Sequence, residues 1–144
     1  MQLVSTADGV TGVVAKVADF GTSQHMEGMI AGRKVDNPVW LAPEVLKNEK
    51  YTEKADVYSF GVILWEMVAQ QQFFESEKFM AQLEKKVITG LRPDIPSNCH
   101  PEVAELIKEC WQGNADARPS FKVVAKRVEG IMAKYCPDEV DYDS

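Results

Sequence analysis

The spacing of hydrophobic positions changes along this chain. Near the N-terminus two short apolar and β-branched runs, at residues 3–4 and 13–18, flank a polar stretch that contains Asp8-Gly9. Asp-Gly between such runs favours a β-hairpin. From residue 21 to residue 37 the sequence has little periodicity. A stretch of this length without periodicity predicts a long loop, which in a compact domain is usually functional or mobile.

After residue 42 the hydrophobic spacing becomes helical. The pattern predicts five helices, whose starts and ends follow from capping and proline signals. They are a short helix over 44–47 opened by Pro43, a helix from Thr52 as N-cap to Ala69, a helix over 76–89 that stops at Gly90, a helix that starts near Pro101, and a helix with Ser120 as N-cap. The predicted fold class is therefore mainly α, with about five helices and an N-terminal β-hairpin.

The predicted helix from Thr52 to Ala69 is apolar on most of its sides, which is typical of a helix in the centre of a domain. One stripe comprises Val57, Phe60, Leu64, Met67 and Val68, and the other comprises Tyr58, Val62, Trp65 and Ala69. The helix near Pro101 carries apolar residues at Val103, Leu106, Ile107, Cys110 and Trp111. In the last helix the predicted buried positions are Phe121, Val124, Val128 and Ile131.

Composition narrows the class of protein. The chain has 144 residues, and four of the acids behind its net charge of −6 lie in an acidic tail over 136–144. This charge gives no reason to expect nucleic acid or anionic membrane as a partner. The three cysteines form no zinc-like spacing, so free thiols in a reducing compartment are expected. The N-terminus does not resemble a signal peptide, and no apolar run is long enough to span a bilayer. We therefore expect a cytoplasmic protein, or the cytosolic part of a larger one.

Five sequence motifs occur in an order and at spacings that coincidence does not explain. They are Val-Ala-Asp-Phe-Gly (17–21), Trp-Leu-Ala-Pro-Glu (40–44), the run Tyr-Thr-Glu-Lys-Ala-Asp-Val-Tyr-Ser-Phe-Gly-Val-Ile-Leu-Trp-Glu (51–66), Gly-Leu-Arg-Pro (90–93), and Cys-Trp (110–111) before Arg-Pro-Ser-Phe (118–121). With these motifs the chain resembles the C-terminal lobe of the protein kinase superfamily. Asn37-Pro38-Val39 before Trp40 is more similar to the tyrosine-kinase-like group than to tyrosine kinases, which usually place Lys or Arg there. The resemblance thus favours Ser/Thr as the phosphorylated residue, with tyrosine as the alternative.

The resemblance implies roles for individual residues. Asp19 would bind the Mg²⁺ that bridges the ATP phosphates, and the activation segment would run from 19 to 44. Glu44 and Arg118 would form a buried ion pair that ties the end of this segment to the loop before the last helix. Asp56 would face the catalytic loop, and Trp111 would be a core residue. The remaining positions by resemblance are Phe20, Gly21, Thr22 and Ser23 in the activation segment, and Asn37, Pro38, Val39, Trp40 and Leu41 in the substrate-docking loop.

Parts of a complete kinase domain are not found in these 144 residues. There is no Gly-rich phosphate loop, no phosphate-binding lysine and no His-Arg-Asp catalytic loop, and these groups carry the chemistry in kinases. We therefore assign no catalytic residue to the chain. ATP and Mg²⁺ are expected in the complete domain but not bound tightly by this chain. The start of the sequence aligns just after the catalytic loop, and the kinase portion is predicted to cover 1–135.

Three interpretations stay open. The chain is a piece of a Ser/Thr kinase, a pseudokinase-like binding module, or a truncated gene product without catalysis. Its expected partners are a protein substrate or regulatory protein, and the small N-terminal lobe of a kinase. Because a helix that would precede the catalytic loop is not encoded here, we also expect Tyr58, Val62 and Trp65 to form an exposed apolar stripe.

Overall fold

The fold begins with two antiparallel strands. In this computed structural model, residues 2–6, 14–18, 20–21, 23, 40–74 and 80–136 are described. Strand β1 (Gln2–Thr6) pairs with β2 (Val14–Ala18) in a register that sets Gln2 opposite Ala18 and Thr6 opposite Val14. The predicted hairpin is therefore confirmed, while its connecting residues lie outside the described part of the chain.

The first two helices lie close to their predicted positions. Helix α1 (Pro43–Leu46) has proline at its first position, where the missing N–H costs no hydrogen bond. Helix α2 spans Lys54–Ala69. The prediction of Thr52 as its N-cap is wrong by one residue, since Glu53 occupies that position without a side-chain cap. The Thr52 hydroxyl instead accepts a hydrogen bond from the Lys54 N–H, at 3.3 Å.

The next two helices show the expected ends. Helix α3 (Met80–Ile88) is followed by Gly90, whose φ of 103° is in a range that glycine adopts without strain. The Leu91 N–H donates to the Lys86 carbonyl at 2.9 Å, and the Gly90 N–H donates to the Val87 carbonyl at 3.1 Å. These two bonds form a Schellman motif, so the predicted stop at Gly90 is confirmed. Residues 75–79, where the predicted start falls, lie outside the described residues.

Helices α4 and α5 close the fold. Helix α4 (Pro101–Cys110) is capped by His100, whose Nδ1 accepts from the Glu102 N–H. A short 3₁₀ turn (Ala115–Ala117) leads to α5 (Phe121–Tyr135). The side chain of Ser120 accepts from the Val123 N–H, which confirms Ser120 as the N-cap. The five helices and the hairpin confirm the predicted mainly α class.

Helix α2 lies at the centre of the core, as its apolar sides predict. One side packs in a cluster with α1, α3 and the end of α4, and this cluster contains Tyr58, Val62, Trp65, Ile107 and Trp111. The other side meets α4 and α5 in a second cluster of Val57, Leu106, Cys110 and Val124. Because α2 contributes residues to both clusters, it joins the two halves of the core.

Three predictions about exposure are wrong. Tyr58, Val62 and Trp65 are at most 4% exposed, because α1, α3 and Trp111 cover the side of α2 that we expected to face solvent. Met67, predicted to belong to a core stripe, is 59% exposed. Phe121, predicted to be buried, is 42% exposed and contacts the Phe60 ring edge-on at 6.0 Å. Periodicity located the apolar positions of each helix but not the partner that covers them.

The contact between α2 and α4 is close at one point. A Cβ placed on Gly61 would lie 2.7 Å from the Cys110 Cβ, which is closer than two such atoms approach. Only glycine fits there. All three cysteines are free thiols, with Cys110 buried, Cys99 half-buried and Cys136 exposed. Within the described residues, every helix is too short or too polar to cross a lipid bilayer.

Candidate functional site

The end of the predicted activation segment is anchored by an ion pair. The Arg118 guanidinium donates to both carboxylate oxygens of Glu44, at 2.7 Å and 2.8 Å. Arg118 is 2% exposed and Glu44 is 9% exposed. Their positions are 74 residues apart in the sequence, and the pair joins the first turn of α1 to the residue just after the 3₁₀ turn. The structure thus brings together the two charges that the resemblance paired.

Arg118 also binds the backbone around it. Its Nε donates to the Gln112 carbonyl at 2.8 Å, and Nη1 donates to the Lys54 carbonyl at 2.8 Å. The Lys54 ammonium in turn donates to the Arg118 carbonyl. One guanidinium therefore ties α1, the start of α2 and the segment after α4 into a single unit, and its planar fork suits this set of acceptors.

The ring of Tyr58 lies next to two guanidinium groups. The Cζ atoms of Arg92 and Arg118 are 5.0 Å and 5.2 Å from the ring centroid, within the range of cation–π attraction. Burial raises the pKa of Tyr58 to about 12, and burial lowers the pKa of Arg92 below its usual value. The Arg92 guanidinium donates hydrogen bonds to the Trp111 and Val87 carbonyls, each at 3.0 Å. Tyr58 and Arg92 therefore lie beside the Arg118 guanidinium that binds Glu44.

Trp40 connects the predicted docking loop to α2. Its indole Nε1–H donates to Glu66 Oε2 at 3.2 Å, and its carbonyl accepts from the Ser59 hydroxyl at 2.7 Å. Trp40 is 38% exposed, while Leu41 is half-buried against the core. The first three residues of this loop, Asn37, Pro38 and Val39, lie outside the described residues. Sequence reasoning did not single out Ser59 or Glu66, although both belong to the motif at 51–66.

The other predicted site residues are only partly described. Asp19 and Thr22 lie outside the described residues. Phe20 is 68% exposed, and the Ser23 N–H donates to the Phe20 carbonyl at 3.0 Å, which closes a turn around Gly21. The roles of these residues in metal binding and activation stay predictions.

Asp56 and Trp111 occupy different environments. Asp56 is in the first turn of α2, where the helix dipole favours a carboxylate. The residue is exposed, yet partial burial of its carboxyl raises the pKa above the ordinary value. No group among the described residues donates a hydrogen bond to this carboxylate. Trp111 is 6% exposed and packs near Phe73 in the first core cluster, so it is a core residue.

Comparison with known proteins agrees with this architecture. The family model for protein tyrosine and serine/threonine kinases matches residues 4–128. In Dictyostelium discoideum, the protein named "Probable serine/threonine-protein kinase pats1" is 45% identical over 126 residues, which cover 87% of this chain and 4% of that protein. Cyclic GMP-binding protein C is 44% identical over 128 residues, which cover 86% of this chain and 5% of that protein.

A shorter relative from the same organism, dual specificity protein kinase shkA, is 40% identical over 138 residues, covering 88% of this chain and 25% of that protein. The chain thus spans between about a twenty-fifth and a quarter of the length of these three relatives. With the matched family model, the helical architecture and the Glu44–Arg118 pair, the chain belongs to the protein tyrosine and serine/threonine kinase family, and its fold is the C-terminal lobe of the kinase domain.

Proposed function

We propose that this chain is the substrate-docking and activation-segment part of a tyrosine-kinase-like Ser/Thr kinase domain. In the complete domain the γ-phosphate of ATP would pass to a Ser or Thr hydroxyl of a protein substrate, in signal transduction. The observation that carries this proposal is the buried bidentate Glu44–Arg118 pair, with Trp40 fixed four residues before Glu44. Anchoring the end of the activation segment in this way would hold the docking loop in position to bind a substrate.

The chain would supply one group to the chemistry and several to positioning. Asp19 offers a carboxylate directly before the turn of Phe20 and Ser23, and a hard cation such as Mg²⁺ prefers carboxylate oxygen. When bound, Mg²⁺ neutralises charge that develops on the transferred phosphoryl group. Glu44, Arg118 and Trp40 would contribute by placing the docking loop, and they would take no part in the chemistry.

The 144 residues alone are proposed to be inactive. Without the general base, the phosphate lysine and the Gly-rich loop, the substrate hydroxyl keeps its proton and ATP–Mg²⁺ has no closed pocket. Because catalysis of phosphoryl transfer consists largely of positioning and electrostatics, losing these groups together removes it. Incubating the purified chain with labelled ATP and a generic protein substrate should give no turnover above that of an Asp19→Ala variant.

Kinase descent itself can be tested with a chimaera. This chain would replace the matching segment of the relative shkA, which is named a dual specificity protein kinase. We expect phosphorylation of Ser/Thr peptides by this chimaera, and its loss on Asp19→Ala. Asp116→Ala, at an exposed aspartate, is the matched control and should keep the activity. A folded chimaera without activity, or an active Asp19→Ala chimaera, would refute the proposal. Phosphorylation of tyrosine peptides alone would favour the tyrosine alternative.

A second candidate is a binding module without catalysis. It is favoured by a structured docking element, the partly exposed Trp40 that is hydrogen-bonded to Glu66 of α2. An inactive chimaera together with saturable binding of the isolated chain to a regulatory protein would decide for this candidate. Under either reading, free cysteines agree with a reducing, cytosol-facing location, which we propose for the chain.

A further inference from the structure

Two side chains on one face of α2 hold Trp40. Ser59 and Glu66 are seven residues apart, and this spacing places them two turns apart on the same side of a helix. The Ser59 hydroxyl donates to the Trp40 carbonyl at 2.7 Å, and Glu66 Oε2 accepts from the indole N–H at 3.2 Å. Trp40 is therefore fixed both at its backbone and at the far edge of its side chain.

The Glu66 carboxylate has a second partner on the core side. Its Oε1 accepts a hydrogen bond from the Phe73 N–H at 2.8 Å. Phe73 is 2% exposed, and its ring meets the Trp65 ring edge-on at 5.6 Å. Both oxygens of Glu66 are thus occupied, one by a buried element and the other by an indole that is 38% exposed. The Glu66 carboxylate therefore links Trp40 to the buried residue Phe73.

The chain on the other side of Trp40 is also fixed. Only three residues separate Trp40 from Glu44, which Arg118 holds through two hydrogen bonds. The segment between Trp40 and Glu44 therefore has an anchor at each end, and a surface held at both ends loses little entropy when a ligand binds to it.

We propose that Glu66, together with Ser59, is a positioning residue for protein-substrate docking, which it serves by holding the exposed indole of Trp40 against α2. The inference rests on the proposed function, since it takes the surface around Trp40 and Leu41 as part of the site that receives the substrate. The ligand it prepares for is an extended stretch of polypeptide, whose backbone and apolar side chains pack on a fixed aromatic face. Glu66 would act through Trp40 and would not touch the substrate.

The first experiment measures the exposure of Trp40 in the 144-residue chain. Trp65 and Trp111 are 4% and 6% exposed, so acrylamide quenching reports mainly on Trp40. Trp40→Phe identifies its share of the signal. Glu66→Gln keeps the size of the side chain but replaces one acceptor oxygen with an NH₂ group that cannot accept a hydrogen bond. We expect this variant to raise the quenching constant about twofold, since the indole is released to solvent.

Glu129→Gln, on an exposed position of α5, is the matched control and should leave quenching unchanged. If Glu66→Gln does not fold, Ser59→Ala removes only the hydroxyl that binds the Trp40 carbonyl, and it should raise quenching in the same direction. Unchanged quenching in a Glu66→Gln or Ser59→Ala chain that retains its circular dichroism spectrum would overturn the inference.

The second experiment measures docking in the chimaera with shkA described above. We expect Glu66→Gln to raise KM for a Ser-containing peptide about fivefold while kcat and the KM for ATP change less than twofold, because only substrate positioning is altered. An unchanged KM for the peptide would overturn the docking role. An inactive chimaera with the unaltered sequence would count against the proposed function, whereas the quenching result decides by itself whether Glu66 and Ser59 hold Trp40.

Discussion

Removing the Arg118 side chain should be among the most damaging single changes in this chain. Arg118→Ala deletes both hydrogen bonds to the Glu44 carboxylate and those to the Gln112 and Lys54 carbonyls. Glu44 is 9% exposed, and no other group in the described part of the chain donates to its carboxylate. The variant therefore leaves a charge in the interior without a partner.

The magnitude follows from this geometry. Breaking a buried ion pair by removing one partner costs about 3–5 kcal/mol. Each carbonyl that loses its donor adds roughly 1 kcal/mol where water cannot replace the bond fully. We expect a loss of about 5 kcal/mol in the free energy of unfolding, which is a large part of the roughly 5–15 kcal/mol of a whole domain. The corresponding fall in Tm is about 15 °C for a domain of this size.

The assay is urea unfolding followed by circular dichroism, with Tm as a second measure. Arg127→Ala is the matched control, because Arg127 pairs with Glu109 at a half-exposed site and such pairs are worth about 1 kcal/mol or less. Glu44→Gln should cost less than Arg118→Ala, since Arg118 keeps its backbone acceptors. A loss below about 1 kcal/mol for Arg118→Ala would refute the reasoning, because it would mean that the Glu44 carboxylate finds water.

Three further predictions concern packing and ionisation. Gly61→Ala should destabilise the fold by about 1–3 kcal/mol, because the added methyl meets the Cys110 Cβ. Gly130→Ala, in open space on α5, is the control and should stabilise the fold by about 0.5–1 kcal/mol. Equal Tm values for the two variants would contradict the close contact at Gly61. Tyr58→Phe should raise the free energy of unfolding by about 1 kcal/mol, because the buried Tyr58 hydroxyl has no hydrogen-bond partner among the described residues; a loss measured in urea would mean that the hydroxyl is satisfied. Burial raises the pKa of Tyr58 from 10.0 to about 12 and that of Cys110 from 9.0 to about 11. Because the folded state favours the neutral forms of both groups, the free energy of unfolding should be constant below about pH 9 and should fall as the pH approaches 12. Urea midpoints that stay constant from pH 8 to pH 12 would contradict this assignment.

Most helices and strands of the fold, and the pair that anchors the site, could be predicted from local sequence signals and from the motifs. Local signals set most ends, because caps act over a few residues: Pro43 opens α1, Gly90 ends α3 and Ser120 caps α5. The cap of α2 is Glu53, one residue after the predicted Thr52, although the Thr52 hydroxyl still accepts from the Lys54 N–H. The charges of Glu44 and Arg118 were matched through their motifs, although 74 residues separate them.

Which helix faces are covered and how Trp40 is held depend on contacts between elements that lie far apart in the sequence. Tyr58, Val62 and Trp65 are buried, whereas Met67 is exposed although Val57 of the same stripe is buried, and nothing local to α2 predicts which of these positions is covered. Periodicity reports that a face is apolar, whereas its cover depends on helices distant in sequence. The same holds for Ser59 and Glu66, which read as ordinary polar positions of a helix. Their contacts with Trp40 exist only because the fold lays the segment before α1 across α2, and a hydrogen bond over such a separation in sequence is created by packing.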